Sequence, residues 1–343
     1  MAGLYDDAHV TRLTLAVRQL LPQWGLSPQT ALHLLALSEN ATFLASDPDV
    51  PRQIVIRVHR PGYHSLAEIC SELDWIAALK QDSRLILPAT IAALSGERVI
   101  SFEDQGQSRY VVASEFLEGV EPGPGTALIP GFRLLGAISA RLHQHARTWQ
   151  RPAGFTRKAW DYAGAFGENP VWGRWQDALD LTPEGREILS EAQECLGQRL
   201  AAYGQDPARY GVIHSDLRLA NLLLRGEEIA VIDFDDSGFS WFVYDLASAL
   251  TFCETEPEVP QMIQSWIEGY CEVHPLSGED IAMIPSFLMY RRFTISAWIS
   301  THAETATARA AGLGQYTRET VEFARRYLSC EASPERNIYA LWG

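Results

Sequence analysis

The side chains best equipped for chemistry lie between 211 and 245, in the stretch GVIHSDLRLANLLLRGEEIAVIDFDDSGFSWFVYD. Val212 and Ile213 form a short apolar lead-in, and His214, Asp216 and Asn221 follow on an expected loop. Apolar runs at 222–224 and 229–232 are expected strands, joined by a turn at Arg225-Gly226. The second run delivers Asp233, Asp235 and Asp236 at its end. A hairpin of this kind gathers Asp216, Asn221 and Asp233 at one end. Such a set suits phosphoryl transfer to a hydroxyl. One carboxylate orients the attacking hydroxyl and takes its proton, while an amide oxygen and a second carboxylate hold magnesium against nucleotide phosphates.

The spacing carries more than the composition does. His214-x-Asp216-Leu217, with Asn221 four residues on, is the catalytic-loop pattern of the protein-kinase fold. Asp233-Phe234-Asp235 stands where Asp-Phe-Gly is usual, and Tyr244-Asp245-Leu246-Ala247 opens a helix. Together these segments resemble the aminoglycoside phosphotransferase and choline kinase superfamily, the bacterial phosphotransferase enzyme family. There the loop reads H-G-D-L-x-x-x-N-x-L, followed by I-D-[FW]-[DE] and a Y-D-L-A-like helix start. Ser215 takes the place of the usual Gly, and the rest of the pattern matches.

The resemblance implies an α+β, two-lobed protein-kinase-like fold. A small lobe of antiparallel strands would span 1–117 and a mostly helical lobe 118–343. It also implies transfer of the ATP γ-phosphoryl group, with Mg2+, to a hydroxyl of a small molecule: an aminoglycoside, an amino alcohol, homoserine or a sugar. Within it Asp216 is the expected base, and Asn221 and Asp233 are the expected magnesium ligands. Asp235 or Asp236 assists the metal or faces the acceptor. Arg218 either neutralises charge that develops in the transition state or pairs with a nearby aspartate. His214 is expected to fix the loop by hydrogen bonds, and Asp245 to cap its helix and accept N–H groups from the catalytic loop. Two other readings are a bacterial stress-response-type Ser/Thr protein kinase and a non-catalytic nucleotide-binding module. The separation of twelve positions between Asp233 and Asp245 leaves little room for a peptide-docking segment, which favours a small acceptor.

These residues need elements to position them. An amphipathic helix is expected from 7 to 24, closed by Gly25. Strands are expected at 30–37, 42–46 and 53–59. In the fold that the resemblance implies, the first connection covers the nucleotide phosphates. It lacks G-x-G-x-x-G, so Ser38 and Asn40 become the candidate donors. In the third strand Ile54, Ile56 and Val58 share one face, while Val55 and Arg57 share the other. An arginine in an apolar strand is costly unless it has a partner. The lysine of kinases bridges nucleotide phosphates and a helix glutamate from this position. The next helix carries Glu68 and Glu72 one turn apart on one face. Glu72 is the preferred partner, since fifteen residues from Arg57 suits strand–loop–helix geometry, with Glu68 as the alternative.

Strands near 98–102 and 110–114 run into Glu115-Phe116-Leu117 and then a Gly/Pro-rich stretch, an expected lobe boundary. The resemblance makes this the adenine-binding hinge, through the Glu115 carbonyl and the Leu117 N–H, within a residue either way. Helices are expected at 132–145, 183–203, 260–273, 277–302 and 308–329. Between them, Trp160, Trp172 and Trp175 line a substrate pocket or pack a core.

Composition bounds the partners. The chain has 343 residues, 47% of them hydrophobic, with 28 basic and 43 acidic side chains and a net charge of −15. That balance argues against nucleic acid and against anionic membrane surfaces, and it leans toward a cationic substrate. Five scattered cysteines without a C-x-x-C pair point to reduced thiols and the cytoplasm. No signal-peptide pattern and no membrane-length apolar run is expected.

Overall fold

The computed structural model describes residues 7–37, 40–50, 52–83, 85–122, 128–226, 228–332 and 338–342. The chain forms two compact units. One comprises Met1–Val120 with the short segments Arg151–Thr156 and Leu223–Asp235; the other comprises Glu121–Gln150, Arg157–Leu222 and Asp236–Gly343.

The first unit starts with α1 (Asp7–Leu20), which tightens into a 3-10 turn at Leu21–Trp24. Gly25 ends that turn at φ 72°, a left-handed value natural to glycine. Next come β1 (Ala31–Leu37), β2 (Ala41–Ser46), β3 (Gln53–Val58), α2 (Leu66–Asp82), β4 (Val99–Asp104) and β5 (Gln107–Glu115). The strands form one antiparallel sheet in the order β1-β2-β3-β5-β4. Its two faces differ because β2 and β3 alternate strictly. Phe43, Ala45, Ile54, Ile56 and Val58 enter a core shared with Leu13 and Val17 of α1. Each large aliphatic buried there contributes roughly 1.5–3 kcal/mol. The opposite face presents Arg57, in register with Thr42 and Val112. Val112 packs with Ile69 and Leu73 of α2.

The start of α2 is set by a capping box. The Ser65 hydroxyl accepts from the Glu68 N–H at 3.2 Å, and the Glu68 carboxylate accepts from the Ser65 N–H at 2.8 Å. Glu68 is thereby committed to the helix end, while Glu72, one turn later, is buried.

The second unit begins with α3 (Leu128–Thr148), α4 (Tyr162–Phe166) and α5 (Pro183–Tyr203). Then β6 (Tyr210–Ile213) leads to the hairpin β7 (Leu222–Arg225) and β8 (Glu228–Val231), whose residues from Leu223 on belong to the first unit. The chain returns through β9 (Gly238–Trp241) and finishes with α6 (Tyr244–Ala249), α7 (Val259–Cys271), α8 (Gly278–Ala282), α9 (Ile284–Thr301), α10 (Ala306–Ala310) and α11 (Gly314–Ala332).

Two departures from the sequence reading matter for the site. The segment 237–244, which reads from the sequence as a short connection, contains a strand, because β9 pairs antiparallel with β6 and sets Ile213 opposite Gly238. The helix expected over 277–302 is two helices: α8 ends before Met283, and Pro285 lies in the first turn of α9. Close packing of α3 on α7 rests on glycine. A Cβ on Gly136 would stand 2.1 Å from the Trp266 carbonyl oxygen, and one on Gly269 would stand 1.9 Å from that of Arg133. From Ile284 to Ile299 every residue of α9 is buried, including Arg291 and Arg292. A helix apolar all round is a core helix, so its two arginines must find partners inside. Trp160, Trp172 and Trp175 are buried as well. Among the described residues no helix is long and apolar enough to cross a membrane.

Candidate active site

In the first unit the candidate residues converge on Arg57. Its guanidinium hydrogen-bonds Glu72 and lies 3.6 Å from the Asp235 carboxylate and 3.9 Å from that of Asp233. His59 and His64 approach Asp235 from other directions, at 3.7 and 3.5 Å. The local cause of this clustering is Phe234. It is buried and meets Trp75 of α2 edge-to-face at 5.5 Å between centroids. With Phe234 anchored, Asp233 takes φ 62° and leaves its carboxylate 55% exposed, while Asp235 is buried. Aspartate tolerates the left-handed region better than most residues.

Electrostatics bind this cluster. Burial alone would lower the basicity of Arg57, but Glu72, Asp235 and Asp233 raise it above the ordinary arginine value. Burial pushes the Asp235 carboxyl up. Arg57, followed by His64 and His59, overcomes that and holds it well below the usual carboxylate range.

The remaining candidates of this unit sit at its turns. Ser38 lies outside the described residues. Asn40 is buried, and its amide oxygen accepts the Arg60 N–H at 3.3 Å. Glu115 closes β5; its carboxylate accepts from Lys80 Nζ at 2.9 Å and from the Ala89 N–H at 3.0 Å. Leu117 follows in the irregular segment after the strand.

In the second unit Asp216, Arg218 and Asn221 are brought together in a tight turn. The Arg218 N–H donates to the Asp216 carbonyl at 2.8 Å, and the Asn221 N–H donates to the Arg218 carbonyl at 2.9 Å. The Asn221 side-chain NH2 donates to the Asp216 carbonyl at 2.8 Å and to its carboxylate at 3.1 Å. That leaves the amide oxygen as the end of Asn221 able to meet a cation. Arg218 Nε lies 3.1 Å from both Asp216 oxygens, so the ion pair is the arrangement Arg218 adopts here.

The loop itself hangs on Asp245. This carboxylate is fully buried and accepts the Ser215 N–H at 2.8 Å, the His214 N–H at 3.3 Å and His143 Nε2 at 2.9 Å. Asp245 lies inside the first turn of α6 and not at its cap, which falls on Val243. Since a carboxylate only accepts, His143 carries its proton on Nε2, and Nδ1 accepts from the Tyr270 hydroxyl at 3.0 Å. Burial lowers the His143 pKa despite the partnership with Asp245. Ser215 adopts φ 67°, the conformation for which glycine is the usual choice.

The sequence reading assigns no role to Arg291, or to His59 and His64. Arg291 of α9 donates to Asp216 Oδ1 at 2.8 Å and to the Ser215 carbonyl at 3.2 Å. The available signal was an arginine inside an apolar helix, which demands a buried acceptor; nothing in the local sequence says which.

A sheet-and-helix unit followed by a mostly helical unit, with Arg57 and Glu72 joined in the first and an Asp–Asn turn in the second, is the protein-kinase-like fold. The chain matches the phosphotransferase enzyme family over residues 33–281 and belongs to it. It is a kinase, a phosphotransferase with an alcohol group as acceptor. The structure of the microcompartment-associated aminopropanol kinase is 42% identical, covers 92% of this chain and 98% of its own, and superposes with a TM-score of 0.85. Amicoumacin kinase hAmiN, in complex with AMP-PNP, Ca2+ and Ami, shares the fold at 22% identity and a TM-score of 0.73, over 93% of this chain and 94% of that one. Homoserine kinase of Beijerinckia indica subsp. indica is 30% identical over 182 residues, 52% of this chain and 53% of its own length.

Proposed function

We propose that the protein transfers the γ-phosphoryl group of ATP to the hydroxyl of a small amino alcohol, with aminopropanol as the first candidate. The observation that carries this reading is the 42% identity, over nearly the full length of both chains, with the aminopropanol kinase. The acidic balance of the chain, −15 overall, supports a cationic acceptor.

In the second unit, Asp216 is the group that orients the acceptor hydroxyl and takes its proton. Three donors already fix its carboxylate, which suits a reaction in which positioning dominates and the proton leaves late. Asn221 offers its amide oxygen to a divalent cation, and Arg218 a partly exposed positive charge beside Asp216. In the first unit, Asp233 is the metal carboxylate, being exposed, and Arg57, held by Glu72, faces the nucleotide phosphates. Asp235, expected as a metal ligand from the sequence, is assigned instead to hold Arg57, His59 and His64, because it is buried among them. Ser38, Asn40, Glu115 and Leu117 keep the nucleotide-binding roles expected from the family. When bound, Mg2+ would neutralise charge on the phosphates.

The test is ATP consumption with magnesium against aminopropanol, other amino alcohols, homoserine, aminoglycosides and a generic protein. Turnover with aminopropanol, lost in Asp216→Asn with nucleotide affinity kept, is the expected result. Turnover with homoserine or an aminoglycoside alone would overturn the acceptor, and phosphate on protein alone would overturn the small-molecule class.

A further inference from the structure

Arg291 is a buried arginine of α9, each of whose three guanidinium nitrogens donates at least one hydrogen bond. Nε donates to the Thr251 hydroxyl at 2.8 Å. One terminal nitrogen donates to the Tyr244 hydroxyl at 3.1 Å and to the Ser215 carbonyl at 3.2 Å. The other donates to Asp216 Oδ1 at 2.8 Å. The guanidinium also lies 5.3 Å from the centroid of the Trp172 ring and 5.8 Å from that of Tyr244. Most of these partners are neutral, and the carboxylate it touches is Asp216.

Burying a guanidinium among hydroxyls is unfavourable, and an apolar side chain would fill the same space with less desolvation cost. A purely structural role therefore accounts poorly for an arginine here. What an arginine provides, and an apolar residue cannot, is a planar fork that fixes a carboxylate in orientation. The fork grips two consecutive residues, the carbonyl of Ser215 and the carboxylate of Asp216, from a helix that is itself rigid and buried.

We propose that Arg291 is a positioning residue for phosphoryl transfer, acting through Asp216: it sets the direction in which that carboxylate meets the acceptor hydroxyl. The proposal rests on the reading of Asp216 as the group that orients the acceptor. Arg218 and Asn221 come from the same turn as Asp216 and move with it. Arg291 is anchored elsewhere, on α9 and through Thr251, so it references the loop to the body of the unit.

The experiment measures kcat, both KM values and thermal stability for Arg291→Lys and Arg291→Met, with aminopropanol and ATP or whichever acceptor the panel identifies. Lysine keeps the charge without the fork. The expected result is a kcat loss of ~10–100-fold for Arg291→Lys and ~100-fold or more for Arg291→Met, the scale of a misplaced catalytic group. Both KM values stay within about 3-fold, since ground-state binding is untouched. In an Asp216→Asn background, adding Arg291→Lys lowers the residual rate by no more than about 3-fold, because the two act as one unit. A folded Arg291→Lys with kcat within about 3-fold of the parent would overturn the proposal. So would additive losses in the double variant. Should neither Arg291 variant fold, Thr251→Val removes one anchor of the fork without touching the loop. A kcat loss of ~3–10-fold at constant KM then supports the proposal, and an unchanged kcat overturns it. Full activity in Asp216→Asn would sink the reading of Asp216 and this proposal together. An inactive Asp216→Asn beside a fully active Arg291→Lys would sink only the second.

Discussion

Asp245→Asn tests how far the proposed catalytic loop around Asp216 depends on one buried carboxylate. In the native protein two oxygens accept from three donors, the N–H groups of His214 and Ser215 and the Nε2–H of His143. Asparagine offers one oxygen and one NH2. Whichever way it turns, its NH2 must face at least one donor, leaving a buried N–H without an acceptor. A hydrogen bond to a charged group contributes about 1.5–3 kcal/mol, and an orphaned buried donor costs about 1–3 kcal/mol. The two estimates overlap because they describe one lost contact, so the expected stability loss is roughly 1.5–3 kcal/mol. The catalytic effect runs through geometry. Ser215 takes the left-handed conformation immediately before Asp216, and the strongest backbone tie in the set is its N–H on Asp245. Releasing it lets Asp216 shift by about 1 Å, for which the expected penalty is ~100-fold in kcat. The assay pairs urea denaturation with steady-state kinetics and with nucleotide affinity, which should be unchanged. A kcat within about 3-fold of the parent, alongside the stability loss, would refute the link from Asp245 to Asp216. Parent-like stability would refute the hydrogen-bond reasoning itself.

Three further outcomes follow from the same geometry. Ser215→Gly should leave kcat within about 2-fold and raise stability by up to ~1 kcal/mol, because left-handed strain of about 1–2 kcal/mol is relieved against a glycine entropy cost of about 0.5–1 kcal/mol; a loss of more than ~1 kcal/mol by urea denaturation would contradict it. Glu254 and Arg292 are both buried, 3.3 Å apart, with the Tyr316 hydroxyl on the same carboxylate at 2.9 Å. Glu254→Gln should cost about 1–3 kcal/mol, because Arg292 would keep only the more distant carboxylate of Glu319, at 3.9 Å, and a urea midpoint equal to the parent's would show that the charge is not needed. His143 has a folded pKa lowered below its ordinary value of 6.5, so its contribution is present above pH 6.5 and is lost as pH falls through the folded value. The stability advantage of the parent over His143→Asn should therefore shrink between pH 7.5 and pH 5.5, by up to ~1.4 kcal/mol per pH unit, and an advantage that grew on acidification would reverse the assignment of a neutral imidazole.

What could be read without a structure shares one property: its determinants lie close together along the chain. The alternation of Ile54, Ile56 and Val58 told which way Arg57 must point. Helical spacing put Glu72 on a face able to meet it, and the Ser65–Glu68 capping box, itself a local pattern, shows why the glutamate one turn earlier is otherwise engaged. The turn from Asp216 to Asn221 is likewise local, its hydrogen bonds spanning five residues at most. The strand at Gly238–Trp241 went unread because a four-residue strand around Gly and Ser carries little periodicity of its own and exists by pairing with Tyr210–Ile213.

The groups that hold the Asp216 loop in place belong to tertiary structure. Arg291 reaches Asp216 from 75 residues away, and His143 reaches Asp245 across 102. Each residue type announced a need, since a guanidinium or an imidazole inside an apolar helix must find a partner. Which partner depends on how α3, α6 and α9 pack, and that follows from summed, non-directional burial and from close approaches such as Gly136 against Trp266. Periodicity and spacing name the candidate groups for chemistry, because chemistry demands particular atoms. The aim of those atoms is decided by packing, because helix packing is set by contacts between residues far apart in the chain.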